Sequence, residues 1–492
     1  MYAIRPVGQR NGQLTTDYGQ RTTDVLMKHI FRRELLDQFS SFKFFAGLLL
    51  VLLLFGLNGL VFSLRYKNEG VEYRQVGQAW EEGLSARKTL DNLPNQAFDS
   101  LKTPLKTAFL ASGGQYRLPN DYRFTINIWG DRPETLRAFS QNALVESFQA
   151  VDWSFLVGTA FSLLALVFAY DSISGEKARG TLKLLQTYNI SRSSILFGKL
   201  LANVVVLLVL LLAGMLFSLL WLLLAGQIEM GSSDWARLAL FLLLSAFYIA
   251  LFLGLGIWLS SLTERPTASM VLAVMVWVVS IVVVPGVGTL LIQRVRKIPT
   301  ENEVGEKANH VWDQIEKEFN GHQSVWRGRD FAKPDNYEFE KVSTVAQNKR
   351  KHLQEEIWDD YLRQKFAQAR TVRNISSLSP SGLFEYGAES VNGTGVLADE
   401  SLVVQAHQYR TTVEEWIRQR DLADSESPHL CFQPGYLSQK SFQASSVPRF
   451  EYRSPSVWEG IRDALWRISL LSAETLVMLF AAALAFQRYD VR

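Results

Sequence analysis

Residues 200–225 form a run of 26 residues, LLANVVVLLVLLLAGMLFSLLWLLLA, without one charged side chain. A membrane-spanning helix needs about 20 mostly apolar residues to cross about 30 Å of hydrocarbon. A soluble core seldom buries a helix that is apolar on every side. The run therefore predicts a membrane helix.

Five further stretches have the length and apolar character of a span. They are residues 44–64, 153–170, 238–262, 268–292 and 468–486. The two shortest lie beside Trp153 and Trp466, where the aromatic belt of a membrane protein is expected. The predicted fold is mainly α, a six-helix transmembrane bundle.

Composition excludes several other classes of protein. The net charge of +3 arises from 51 basic and 48 acidic residues, a balance that argues against a nucleic acid as partner. Because Cys431 is the single cysteine, the chain forms no internal disulfide and carries no cysteine-rich metal site.

The charge of the short loops predicts the orientation of the chain, since cytoplasmic loops are enriched in Lys and Arg. Segment 1–43 and loop 171–199 are the most basic short segments, and the tail 487–492 lies on the same side. Both termini are therefore expected in the cytoplasm. A basic cluster at 294–297 opposes this orientation, but it opens a long segment, and long domains cross largely regardless of charge.

This topology leaves two polar inserts outside the cytoplasm, residues 65–150 and 294–467, which make up about half of the chain. The larger insert is predicted to be helical, because apolar residues recur about every four positions in Thr344–Asn374. In the smaller insert, Tyr122–Trp129 alternates as a strand does, and Ala79–Leu90 is compatible with a helix.

Residues 22–42, TTDVLMKHIFRRELLDQFSSF, carry an apolar stripe opposite Lys28, Arg32 and Arg33. Such a helix is suited to lie in the membrane interface, in contact with lipid. A cytoplasmic helix that packs on a partner protein is the alternative, and the two are compatible.

No motif of an enzyme is evident. The chain has no G-x-x-x-x-G-K-[ST] loop, so it is not expected to bind or hydrolyse ATP. Residues 111–115 read ASGGQ, which we interpret as a chance match or a glycine-rich turn rather than as part of a nucleotide site. H-E-x-x-H and G-x-S-x-G are also absent, so we expect no catalytic, cofactor or metal site in this chain.

The loop at residues 171–199, which we call the coupling loop, is the most informative segment. Turn-forming residues follow the second apolar block, Glu176–Tyr188 is able to form a short amphipathic helix, and residues 189–191 interrupt it before the third block. A helix held between two spans is a lever, because its displacement must move both. A solvated loop is the alternative.

The coupling loop resembles the loop between the second and third spans of ABC-2 type transporter permeases, which reads D-x-I-S-x-E-x-x-x-G-T-L-x-x-L followed by S-R-x-x-I-x-x-G-K. The matching residues are Asp171, Ile173, Ser174, Glu176, Gly180, Thr181, Leu182, Leu185, Ser191, Arg192, Ile195, Gly198 and Lys199. The two inserts resemble those of a bacterial subgroup of these permeases.

The resemblance implies half of a transporter in a bacterial cytoplasmic (inner) membrane. Family members pair two permeases, identical or different, with two ATPase subunits, which bind ATP and Mg. The coupling loop would then dock on an ATPase. The docking charges would be Glu176, Lys177, Arg179 and Lys183, and Leu182 and Leu185 would be the apolar anchor.

Two features inside the apolar blocks remain open. Glu474 lies in the last block, and an intramembrane carboxylate usually faces protein or water, so it is either a structural hydrogen-bonding group or part of a substrate path. Pro285, Gly286 and Gly288 are expected to form a hinge or the plain end of the fifth span.

The resemblance implies an ATP-driven exporter, and the small number of charges in the spans favours an apolar or amphipathic substrate over a small ion. The rival is mechanotransmission, in which the spans relay ATP-driven motion to the inserts, together with periplasmic or outer-membrane components, and nothing crosses through this chain. A membrane enzyme acting through the inserts is a third class.

Overall fold

The computed structural model describes residues 28–113, 121–128, 134–136, 151–181, 191–224, 229–287, 297–319 and 337–488. Within these ranges six helices are long and apolar enough to cross a membrane. They are α2 (Phe42–Ala86), α3 (Trp153–Ala178), α4 (Arg192–Leu224), α5 (Ser232–Leu262), α6 (Pro266–Val287) and α11 (Val457–Arg488). Their buried faces form one apolar core, and the chain is a multi-pass helical protein.

The first of these helices is far longer than the apolar block at 44–64. α2 has 45 residues, which corresponds to about 68 Å, roughly twice the thickness of the hydrocarbon layer. Its second half is polar, but it contains no proline, and Arg65 and Glu69 form an i,i+4 ion pair of 2.6 Å. The first span therefore continues as a helix into the first insert.

The last helix also begins earlier than the apolar block at 468–486. α11 starts at Val457 because Ser456 and Glu459 form a reciprocal cap: the Ser456 amide donates to the Glu459 carboxylate at 2.7 Å, and the Glu459 amide donates to Ser456 Oγ at 3.3 Å. Hydropathy does not detect this polar first turn.

Helix α1 covers residues 28–39 and precedes α2. Its apolar residues Ile30 and Phe39 pack against the core of this same chain, whereas Lys28, Arg32 and Arg33 are exposed. The apolar stripe that predicts an interface helix is thus partly covered by the bundle itself.

Close packing of the spans depends on small residues. A Cβ atom added to Gly214 of α4 would lie 2.5 Å from the Val51 side chain of α2, and one added to Gly59 would lie 2.9 Å from Ser218 Oγ. Residue pairs of this kind let two helix backbones approach closely, which drives association inside a membrane.

The inserts fold together. In the first insert, β1 (Ala97–Leu101), β2 (Asp121–Thr125) and β3 (Glu134–Leu136) form an antiparallel sheet. The second insert contains α7 (Glu301–Phe319), α8 (Tyr337–Ser376), α9 (Pro380–Asn392) and α10 (Val396–Leu422). Phe98 and Phe124 of the sheet pack on Tyr409 of α10, so the two inserts share a core.

Helix α9 returns into the bundle, which the sequence did not predict. Phe384 stacks on Tyr248 of α5 with ring centroids 4.6 Å apart, and the Ser381 hydroxyl donates to the Ser280 carbonyl of α6 at 3.2 Å. Tyr248 lies sixteen residues after the start of α5, roughly 24 Å along the helix. The second insert is therefore anchored deep among the spans.

Pro285 and Gly286 lie in the final turn of α6, immediately after a π-helical segment at Val279–Val283. A π turn accommodates proline, which supplies no amide hydrogen for the preceding turn. Gly288, the third residue of the predicted hinge, lies outside the described residues.

Candidate functional site

The described part of the coupling loop is compact. α3 turns at residues 170–173 and continues as the short helix Ser174–Ala178, which ends at Gly180 with φ 73°. A left-handed residue ends a helix, and glycine adopts this conformation without strain. The expected helix over Glu176–Tyr188 is therefore interrupted at Gly180. Leu182, Lys183 and Leu185 lie outside the described residues.

Asp171 joins the start of the coupling loop to the start of α2. Lys43 Nζ lies 2.9 Å from Asp171 Oδ2, donates to the Val167 carbonyl at 3.2 Å and lies 4.7 Å from the centre of the Tyr170 ring. One ammonium group thus holds the C-terminal end of the second span against the first.

Glu176 joins the loop to α4 and α1. Lys199 Nζ lies 2.7 Å from Glu176 Oε1 and 2.7 Å from Glu34 Oε1, and the lysine side chain is only 5% exposed. The Glu176 carboxylate is thus engaged inside the chain, and its contact with an ATPase stays a prediction.

Ser174 joins the loop to α5. The amides of Ile173 and Ser174 both donate to Ser260 Oγ at 3.1 Å. Ser174 is fully buried, so it also does not belong to a surface that a partner reaches.

The remaining predicted residues lie nearer the surface. Arg179, Gly180 and Thr181 are exposed together with Ala178, and we call residues 178–181 the exposed patch. Lys177 approaches Glu264 in the loop between α5 and α6 at 3.7 Å.

Ser191 and Arg192 stand at the start of α4. Ser191 Oγ accepts the Ser194 amide at 3.1 Å, and Arg192 donates to the Gln487 carbonyl of α11 at 2.7 Å. Through these contacts and those above, the coupling loop, which connects α3 and α4, also contacts α2, α5 and α11.

Several residues of this site were not singled out as site residues from the sequence. Glu34, Lys43 and Ser260 are distant in sequence from the loop and became visible only when the helices packed. Lys199 could have been identified from the sequence, because it is the lysine of the G-K pair in the family motif. Gly198 allows the approach of α1, because an added Cβ atom would lie 3.0 Å from Ile30 Cγ2.

A second group of charges joins the inserts to α11, and we call it the junction cluster. Its members are Arg370, Arg373, Glu389, Glu400, Asp463 and Arg467. Arg373 and Glu389 lie 3.0 Å apart, and Asp463 accepts the Ser390 hydroxyl at 2.6 Å. Burial raises the pKa of Glu389 to about 7, although the neighbouring Arg373 favours the charged form.

Glu474 is half-buried on α11. Its Oε2 atom is buried and has no hydrogen-bond partner among the described residues, whereas the adjacent Thr475 donates to the Phe247 carbonyl of α5 at 3.2 Å. Both interpretations of Glu474 therefore remain predictions. Across the described ranges, no group of three or more His, Cys, Asp or Glu side chains is arranged to hold a metal ion.

Comparison with protein families matches residues 29–491 to a family described as "ABC-2 family transporter protein". The chain is also similar to the probable ABC transporter permease protein NosY of Stutzerimonas stutzeri, with 34% identity over 122 residues. The matched region is 25% of this chain and 44% of the relative, so the chain spans less than half the length of that relative.

Proposed function

Because the chain belongs to the ABC-2 transporter family, we propose that it is the permease subunit of an ATP-driven transporter. ATP and Mg bind to a separate ATPase subunit. The observation that carries this proposal is the attachment of the coupling loop to three spans besides the two that it connects: Asp171 contacts α2, Ser174 contacts α5 and Arg192 contacts α11. A loop attached in this way transmits a push to most of the bundle.

The exposed patch is the proposed docking surface for the ATPase. Residues 178–181 are exposed and follow the partly buried Glu176 and Lys177, and the predicted anchor residues Leu182 and Leu185 come next in the sequence. Interface affinity usually depends on a few apolar and arginine side chains. Arg179 is such a side chain on this patch. Glu176 and Asp171 instead hold the loop against the neighbouring helices.

Two permeases, identical or different, form the proposed assembly with two ATPases in a bacterial inner membrane. The coupling loop and both termini face the cytoplasm, and the inserts lie on the opposite side. The basic residues of segment 1–43 and loop 171–199 support this orientation.

The proposed activity is export of an apolar or amphipathic substrate. Few charged residues occur in the apolar blocks, so a path between the spans suits such a cargo better than a small ion.

Mechanotransmission is the second candidate, and a specific observation favours it. α9 packs between α5, α6 and α11 and is continuous with the outer helices α8 and α10. A rearrangement of the spans would move the inserts directly. Periplasmic or outer-membrane components would then receive the motion.

Co-purification tests the docking proposal. Arg179→Glu reverses a charge on the exposed patch, and loss of one good interface contact costs about 2 kcal/mol, or roughly thirtyfold in affinity. We expect the ATPase that accompanies the tagged permease from its native membrane to be lost. The control is Arg33→Glu, which reverses an exposed charge on α1. Equal retention of the ATPase by both variants would contradict the docking surface.

Reconstitution separates export from mechanotransmission. In liposomes containing the permease and its co-purified ATPase, export predicts ATP-dependent movement of a fluorescent amphipathic substrate. Mechanotransmission predicts ATP turnover and a distance change within the inserts without such movement. Absence of any co-purifying ATPase would contradict both.

A further inference from the structure

We propose that Lys199, held between Glu34 and Glu176, is a clamp that makes α1 and the first span move with the coupling loop. The inference rests on the proposed function and assigns a positioning role to three residues within it. A displacement of the coupling loop then moves α1 as well as the second and third spans.

The geometry of the clamp is specific. A single buried ammonium group contacts two carboxylates from different elements, each at 2.7 Å, one from α1 and one from the short helix of the coupling loop. The side chains of Glu34 and Glu176 are 21% and 13% exposed. Buried charges of this kind hold their partners in one arrangement, because separation leaves a charge unpaired in a poorly solvated place.

A second contact holds the other end of the same segment. Lys43 stands two residues beyond the turn at Ser40 and Ser41 and pairs with Asp171 at 2.9 Å. Ser41 caps α2 by accepting the Phe44 amide at 3.2 Å. Helix α1, the turn and the start of α2 are therefore attached to the coupling loop at two points.

Close packing completes the contact. Gly198 precedes the lysine and brings Ile30 of α1 against α4, since an added Cβ atom would lie 3.0 Å from its side chain. Gly198 and Lys199 therefore support the same contact between α1 and α4. The glycine allows the two helices to approach, and the lysine holds them together through its ion pairs.

This arrangement has a consequence for the motion. A displacement of the short helix Ser174–Ala178 by the ATPase moves Glu176, and through Lys199 it moves Glu34 and α1. Without the clamp, the same displacement would still reach the spans that are continuous with the loop, but it would reach α1 only through the Lys43–Asp171 contact and the packing at Gly198, so α1 would move less.

Removing the clamp without leaving unpaired charges tests the proposal. Lys199→Met alone would leave two buried carboxylates and is expected to destabilise the chain. The triple variant Glu34→Gln, Glu176→Gln and Lys199→Met removes all three charges while nearly preserving side-chain size. Neutral replacement of a buried ion triad is often tolerated, so we expect this variant to insert and to melt near the temperature of the unmodified protein.

Spin-label distances report the motion. All label pairs are placed in a Cys431→Ser background. The distance between labels at Asp37→Cys and Arg265→Cys reports the position of α1, and the distance between labels at Ser172→Cys and Arg265→Cys reports the position of the coupling loop. With co-purified ATPase, ATP and vanadate, we expect both distances to shift in the unmodified chain. In the triple variant the loop distance should still shift, and the α1 shift should fall to less than a third.

The matched control is Arg33→Gln, which removes an exposed charge from the same helix and should leave both shifts intact. An undiminished α1 shift in the triple variant would overturn the clamp while leaving the permease assignment in place. Absence of both shifts in the unmodified chain with its ATPase bound would instead overturn the proposed function. A triple variant that fails to insert is replaced by Glu34→Gln alone, for which an unchanged α1 shift also overturns the clamp.

Discussion

Arg373 of α8 and Glu389 of α9 form an ion pair with 3.0 Å between Nη2 and Oε2, and their side chains are only 8% and 10% exposed. The pair lies where the second insert enters the bundle. It joins α8 to the helix that packs among the spans, so the two helices are held together at this point.

Replacing one residue of this pair should destabilise the protein more than replacing both. Arg373→Met leaves a buried carboxylate, and loss of one partner of a buried pair typically costs about 3–5 kcal/mol. The double variant Arg373→Met with Glu389→Gln should recover most of that loss. Thermal unfolding of the purified protein in detergent measures both.

Lys349→Met is the control for this comparison. Lys349 and Glu318 form an exposed pair whose side chains are about half exposed, and such pairs contribute about 0–1 kcal/mol. A double variant no more stable than Arg373→Met would show that the carboxylate is not the cause.

The strand residue Asp121 should make stability depend on pH. Burial, and secondly the neighbouring Asp99, raise its pKa to about 7. The unfolded chain has a pKa near 4, so between about pH 4 and 7 the folded state binds more protons and the free energy of unfolding falls as pH rises. Asp121→Asn should flatten this decline.

Melting temperatures between pH 5 and 8 provide the measurement. As the pH rises across this range, we expect the melting temperature of the unmodified protein to fall by several degrees more than that of Asp121→Asn. Asp360→Asn, which removes an exposed carboxylate, should behave as the unmodified protein does. Parallel curves for all three proteins would contradict the assignment to Asp121.

The six spans were predictable because hydropathy is a local property that needs no knowledge of packing. The ends of α2 and α11 were not, since polar helix formers and the cap at Ser456 carry no apolar signal. Ser456 and Glu459 do match the S-x-x-E pattern of a capping box, so that boundary was available to a search for caps.

The coupling loop shows the other limit of prediction. Motif residues such as Asp171 and Ser174 were identified from the sequence, but their partners Lys43 and Ser260 lie 128 and 86 residues away. Only the packed bundle shows that these side chains face inward. For the same reason α9, whose apolar residues are few, gave no sign that it enters the bundle.

Cysteine labelling should test the orientation of the chain. Ser174 is fully buried and would label poorly on either side, so Ala178→Cys on the exposed patch is the better probe. In a Cys431→Ser background we expect it to react with a membrane-impermeant maleimide only after permeabilisation. Val404→Cys on α10, at a position 55% exposed, should react in intact cells from which the outer membrane has been removed. The opposite pattern would reverse the topology.

Enlarging Gly214 should separate the first and third spans. A Cβ atom there would lie 2.5 Å from Val51 Cγ1 and 3.0 Å from the Phe55 ring, and both of those side chains are buried. Gly214→Val forces three side chains into space for two, and overpacking of this kind costs about 1–3 kcal/mol. Gly286→Ala is the matched control, because no atom of the described residues packs within 4 Å of its added Cβ atom. We expect the melting temperature in detergent to fall by several degrees for Gly214→Val and to change little for Gly286→Ala.

Since α1 and the coupling loop attach to the ends of these same two spans, Gly214→Val should also weaken the ATP-dependent movement of α1. A variant as stable as the unmodified protein would mean that α2 and α4 do not pack as closely as Val51 and Gly214 require.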